Sequence, residues 1–166
     1  MIIKTKRLRK YDRSWMYLPQ KDVSLYWASR NSTNEHELNS FFDCCLIWCS
    51  KKFGTVKRKT IPDIEWSWND KQYQLGEYLA FYSEEDNAIS IRIQGHRTFY
   101  NLGKTIIHEY IHYLQPTRGG WYDRYDKQYG YDKNPYEIEA YHVSGLYAVE
   151  CTQWAIAEMR PRKHAA

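Results

Sequence analysis

His108, Glu109 and His112 stand in the pentapeptide His108-Glu109-Tyr110-Ile111-His112, two imidazoles four residues apart with a carboxylate beside the first. On an α-helix, residues four apart lie one above the other on one face, so both imidazoles can reach a single ion. Glu109 then points beside that face, where it can act as general base on a water that the metal has activated. The chemistry these residue types imply is metal-dependent hydrolysis, most directly of a peptide bond. Their context is helical as well. Ile107, Ile111 and Leu114 follow the i, i+4, i+7 spacing of a buried stripe, adjacent to the His108/His112 face rather than on it. The metal face is therefore expected to border the core at a cleft. The plainer alternative is a surface helix whose His and Glu side chains are merely solvated.

A catalytic zinc needs a third protein ligand and one open position. Glu137 and Glu139, in Asn134-Pro135-Tyr136-Glu137-Ile138-Glu139-Ala140-Tyr141, place carboxylates at the start of a second predicted helix. Folded back beside the first, that helix would complete a His, His, Glu site. Acidic residues in a first helical turn are also favoured by the helix dipole, whatever else they do.

Other elements must hold these two helices together. Ser32-Thr33-Asn34-Glu35 reads as a capping box, and Leu38, Phe41, Phe42, Cys45, Leu46, Cys49 and Phe53 form an apolar stripe ending at Gly54. Strand signals follow at 61–68, 77–82 and 88–94, where Ile89, Ile91 and Ile93 alternate with Ser90 and Arg92. They predict a half-buried sheet of at least three strands, antiparallel in part. The motif helix should run from Phe99 to Leu114, stopping before Pro116. Residues 115–135 are expected to form a loop, since Pro116, Gly119, Gly120, Gly130 and Pro135 interrupt it, with Trp121, Tyr122, Tyr125, Tyr129 and Tyr131 along its length. A last helix, from Tyr136 to about Arg160, has Pro135 suited to its first turn, and 161–166 is a short tail.

In the order of its elements and in HExxH followed by a Glu on a later helix, the stretch 32–160 resembles the zincin metallopeptidases, specifically the gluzincin-like group. The resemblance implies an α+β, minimal zincin-like domain: N-terminal helix, small mixed sheet of three or more strands, HExxH helix and a C-terminal helix carrying the third ligand. Small zincins often carry that ligand as ExxA, and Glu137-Ile138-Glu139-Ala140 fits with Glu137 as ligand, preferred to Glu139. The cofactor implied is Zn2+, held by His108, His112 and Glu137, with Glu109 as base and a peptide or protein as substrate. Tyr141, Tyr131 and His142 are the candidates for stabilising the oxyanion, and spacing does not choose among them. The Ile89–Ile93 strand, if at the sheet edge, could pair with an extended substrate. The chain departs from its relatives at Tyr141, where they often carry an Asp that orients a ligating His. A backbone carbonyl, or Asp123, Asp126 or Asp132, would have to replace it.

Composition limits the remaining readings. At 166 residues and a mean hydropathy of −0.79, one domain is expected, with a core of ordinary size. No apolar run is long enough to span a membrane, and Met1-Ile2-Ile3-Lys4 does not open a signal peptide, so the expected location is cytoplasmic. Cys44, Cys45 and Cys49 share one predicted helix, Cys151 lies far away, and no CxxC exists. Reduced cysteines behaving as small core hydrophobes are the expectation, with Cys45 and Cys49 as half of a metal site the minor alternative. Residues 1–31 form a basic arm: Lys4, Lys6, Arg7, Arg9, Lys10, Arg13 and Lys21 face Asp12 alone within 1–21, which suits weak contact with nucleic acid or an acidic surface. Sixteen Tyr and seven Trp make the domain rich in side chains that join apolar area to a polar tip. The competing function is a zincin-fold binding or structural protein with little catalysis, conceivably in a viral or mobile-element assembly.

Overall fold

The computed structural model describes residues 35–67, 79–96, 98–117 and 119–159. Helix α1 spans Glu35–Phe53, strands β1, β2 and β3 span Asp63–Ser67, Ala80–Ser83 and Ala88–Arg92, and helices α2, α3 and α4 span Phe99–Leu114, Trp121–Tyr129 and Pro135–Met159. Short 3-10 turns occupy Ile93–Gly95 and Tyr131–Lys133. The architecture is α+β, four helices with a small mixed sheet. The basic arm, the tail and Ser32 of the capping box lie outside the described residues.

The sheet order is β1-β3-β2, with β1 parallel and β2 antiparallel to β3. This corrects one expectation: the Ile89–Ile93 strand is central, not an edge. Its burial explains why. Ala88, Ile89, Ser90 and Ile91 are all buried, so both faces are covered, and Ser90 is polar only in type. Among the described residues the edge strand beside α2 is β2, four residues long.

The core lies where α1 and α4 pack on α2. Leu38, Phe41 and Cys45 from α1 meet Leu102, Ile106 and Tyr110 from α2 and Ala140, Cys151 and Ala155 from α4, all fully buried. Gly103 permits the closest approach of α2 to α4, because a Cβ there would lie 2.5 Å from Thr152 Oγ1. Two buried tyrosines use their polar tips to fasten the end of α1: Tyr110 Oη donates to the Gly54 carbonyl at 2.8 Å, and Tyr113 Oη accepts from the Val56 amide at 3.0 Å. Gly54 itself stops the helix at φ +84°. All four cysteines are free, with Cys45, Cys49 and Cys151 buried between α1 and α4.

The 115–135 stretch is not the irregular loop expected. Its glycines bracket a helix instead of preventing one: Gly120 (φ +62°) precedes α3 and Gly130 (φ +75°) follows it. The nine residues between contain no breaker. Trp121, Tyr125 and Tyr129, four apart, stack along it with ring centroids 5.8 and 6.2 Å apart. None of its residues is buried.

Candidate metal centre

The helical repeat alone brings His108 and His112 together on α2, with their Nε2 atoms 3.1 Å apart. The third group comes from the first turn of α4, which Asn134 starts. Asn134 is fully buried, and its Oδ1 accepts from the Tyr136 amide at 3.0 Å while its carbonyl accepts from Ile138 at 3.0 Å. Pro135 takes the first helical position, as the sequence suggests. This cap aims Glu137 at the imidazoles: Oε2 lies 3.2 Å from His108 Nε2 and Oε1 lies 3.3 Å from His112 Nε2.

The two imidazole nitrogens stand 3.1 Å apart, and each lies 3.2–3.3 Å from a different oxygen of the one carboxylate. Ligand atoms bound tetrahedrally at zinc distances stand about 3.3 Å from one another. The donor set suits a borderline cation too, with two imidazole nitrogens and one carboxylate. Glu137 is 2% exposed, and its Oε2 faces His108 Nε2 at 3.2 Å. His108, His112 and Glu137 are the group among the described residues that could hold a metal ion. The structure does not bring Glu139 into it. That carboxylate turns away, and its Oε2 accepts from Gln115 Nε2 at 3.1 Å.

Electrostatics follow from burial and mutual contact. Burial alone would raise the Glu137 carboxyl, but hydrogen bonds from His108, His112 and Tyr122 outweigh it and hold it well below the usual range. His112 is likewise disfavoured as a cation by burial, yet Glu137 and Glu109 together raise it. Glu109, 6% exposed, is raised chiefly by burial; the two imidazoles oppose this, and the Tyr82 backbone amide donates to it. A carboxyl shifted upward beside a metal-type triad is well suited to proton transfer near neutral pH.

Two residues that sequence reasoning missed complete the centre. Tyr122, on α3, donates to Glu137 Oε1 at 2.6 Å, and its ring stands edge-on to His112. Gln115, just past the end of α2, accepts at Oε1 from His112 Nδ1 at 2.7 Å. The orienting acceptor is therefore an amide three residues beyond His112, not Asp123, Asp126 or Asp132. Its spacing from His112 was visible in the sequence; Tyr122 left no such signal, since nothing local relates it to Glu137.

The oxyanion candidates separate. Tyr131 lines the cleft, its hydroxyl 3.5 Å from that of Tyr141 and its pKa raised by burial, by Tyr141 and by Glu137. Tyr141 packs its ring on His108 at 4.5 Å but is half exposed and does not line the cleft. His142 is also not among the lining residues, and its Nε2 is buried without a partner.

The cleft has a volume of about 700 Å³. Its walls are α2, the Ala80–Tyr82 backbone of β2, and the α3–α4 junction with Tyr122, Tyr131 and Tyr136. In the β2–β3 ladder Arg92 donates to the Leu79 carbonyl at 2.9 Å. Bonded pairs alternate in an antiparallel ladder, so Ala80 and Tyr82 turn their backbone groups outward, toward the cleft. No helix among the described residues is long and apolar enough to cross a membrane.

No protein-family model matches the chain, and neither does a curated protein or a solved structure.

Proposed function

We propose that this protein is a zinc-dependent peptidase of the zincin type, hydrolysing peptide bonds at the His108, His112, Glu137 centre. The observation that carries the reading is the convergence of those three ligand atoms beside a buried Glu109 with an upward-shifted pKa, all opening onto one cleft. When bound, zinc would acidify water and polarise a carbonyl.

The residues of this chain do the rest. Glu109 takes the proton of the attacking water and returns it to the leaving amine, with the Tyr82 amide fixing its carboxyl. Tyr131, the one oxyanion candidate that lines the cleft, donates its phenol to the developing oxyanion. The outward backbone groups of Ala80 and the Tyr82 carbonyl pair with an extended peptide, the role expected of the next strand. Phe81, 40% exposed at the same edge, offers apolar surface to a substrate side chain.

A second reading, a binding protein that keeps the metal but has little catalysis, draws on α3, whose aromatic row leaves Trp121 and Tyr129 43% and 47% exposed. One experiment separates them: zinc content of the purified chain and of His108→Ala, Glu137→Ala and Glu139→Ala, with cleavage scored on a broad peptide library. The peptidase reading expects one zinc per chain, lost in the first two variants and kept, though with weaker affinity, in the third, with zinc-dependent cleavage. Zinc without cleavage leaves the binding protein. Zinc retained equally by His108→Ala would sink both.

A further inference from the structure

Resting on the metal reading above, we propose that Gln115 and Glu139 form a positioning relay that fixes which nitrogen of His112 is free to ligate. Gln115 is 8% exposed and makes three side-chain contacts: Oε1 with His112 Nδ1 at 2.7 Å, and Nε2 with the Tyr136 carbonyl at 2.9 Å and Glu139 Oε2 at 3.1 Å. A carbonyl and a carboxylate can only accept, so the amide nitrogen must face them. Its oxygen then faces His112, and Nδ1 must carry a proton. In the neutral ring the lone pair is thereby left on Nε2, the atom that stands in the triad.

The relay also explains why two acidic residues stand so close together. Two positions apart on a helix face different directions. Glu137 reaches the imidazoles and Glu139 reaches Gln115. An amide is what this position requires, because the same side chain has to accept from His112 and donate to α4. A carboxylate here would satisfy His112 but would lack both N–H donors and would face Glu139 with like charge. The Gln115 backbone is anchored as well, with its amide donating to the Ile111 and His112 carbonyls. The end of α2 is thus tied to the start of α4 at the level of the site. Glu139, a rival ligand in the sequence, acts on the centre only through Gln115.

The test compares zinc affinity, by chelator competition, and the imidazole nitrogen NMR signals of His112 in zinc-loaded protein. Gln115→Leu should bind zinc about 10- to 100-fold more weakly and lose the hydrogen-bonded Nδ1–H signature. Glu139→Gln keeps an acceptor and should stay within about threefold of the unsubstituted chain, while Glu139→Ala should weaken binding. Adding Glu139→Ala to Gln115→Leu should cost little more, since both act through one link. A Gln115→Leu protein with unchanged affinity and an unchanged Nδ1–H signal overturns the relay while leaving the metal centre standing. Fully additive losses in the double variant would also overturn it. An unsubstituted chain that binds no zinc overturns the relay and the metal reading together.

Discussion

Gly103→Ala sets two known effects against each other, and the structure decides the sign. In an isolated helix, replacing glycine by alanine is favourable by about 1 kcal/mol. Here the new Cβ would lie 2.5 Å from Thr152 Oγ1, about 0.9 Å inside ordinary van der Waals contact. Thr152 is β-branched and fully buried, and the new Cβ would also lie 3.7 Å from Phe41 Cζ and Thr152 Cβ, so the site has little free space. Relief requires α2 and α4 to part. Overpacking of this kind costs about 1–3 kcal/mol, leaving a net loss of up to about 2 kcal/mol, or up to about 8 °C in the unfolding midpoint of a chain this size. The same two helices carry His108, His112 and Glu137, whose triad edges of 3.1–3.3 Å leave little slack. Zinc affinity should therefore fall as well. Thermal unfolding followed by circular dichroism would be measured for Gly103→Ala, Thr152→Ala and the double variant. Thr152→Ala opens the space, so the double variant should recover at least about 1 kcal/mol relative to the sum of the singles. A Gly103→Ala protein more stable than the starting chain would refute the reasoning, because propensity would then have outweighed packing.

Two further outcomes follow from the centre. Glu109→Gln keeps the volume and the acceptor for the Tyr82 amide but removes the base, so cleavage should drop about 100- to 10,000-fold with zinc retained; cleavage within tenfold of the starting chain would remove Glu109 from the mechanism. The metal-free protein should also lose thermal stability as pH rises above the unfolded His value of 6.5. His112 has its folded pKa raised from 6.5 and Glu109 its own from 4.5, so the stability each contributes is present below those unfolded values and is lost as pH climbs through the folded ones. Glu137, shifted downward, contributes with the opposite sign, lost only in strong acid. Zinc requires neutral imidazole, so the gap in midpoint between zinc-loaded and chelated protein should widen over the same range; a chelated protein that grows more stable with pH contradicts the shifts.

How much of this was legible in the sequence divides along the range of the interactions. The pairing of His108 with His112 follows from the helical repeat, and the Phe99–Leu114 bounds follow from Pro116 and local periodicity. The start of α4 was legible because Pro135 suits a first helical turn. Those features depend on residues within one or two turns, where backbone geometry leaves few choices. The strand order β1-β3-β2, which makes β2 rather than β3 the cleft edge, depends on the β1–β3 pairing, whose partners lie 25 residues apart, and alternation along one strand does not specify its neighbours. Helix α3 was harder to read for a different reason: Trp121, Tyr125 and Tyr129 do recur at helical spacing, but Gly119, Gly120 and Gly130 read as breakers when Gly120 and Gly130 are its boundaries.

The sequence by itself determined which residue types were available at the centre and put the two imidazoles on one helix face. It also narrowed the third group to Glu137 or Glu139. Only the tertiary structure decided how α4 turns against α2, and that crossing sends Glu137 to the imidazoles and Glu139 to Gln115. The same packing brought Tyr122 to Glu137 and Tyr131 to the cleft. Local spacing can say what a helix face presents. Which face another helix meets is set by the burial of Gly103, Ala140 and Thr152 in the shared interface, contacts whose partners lie 30 or more residues apart.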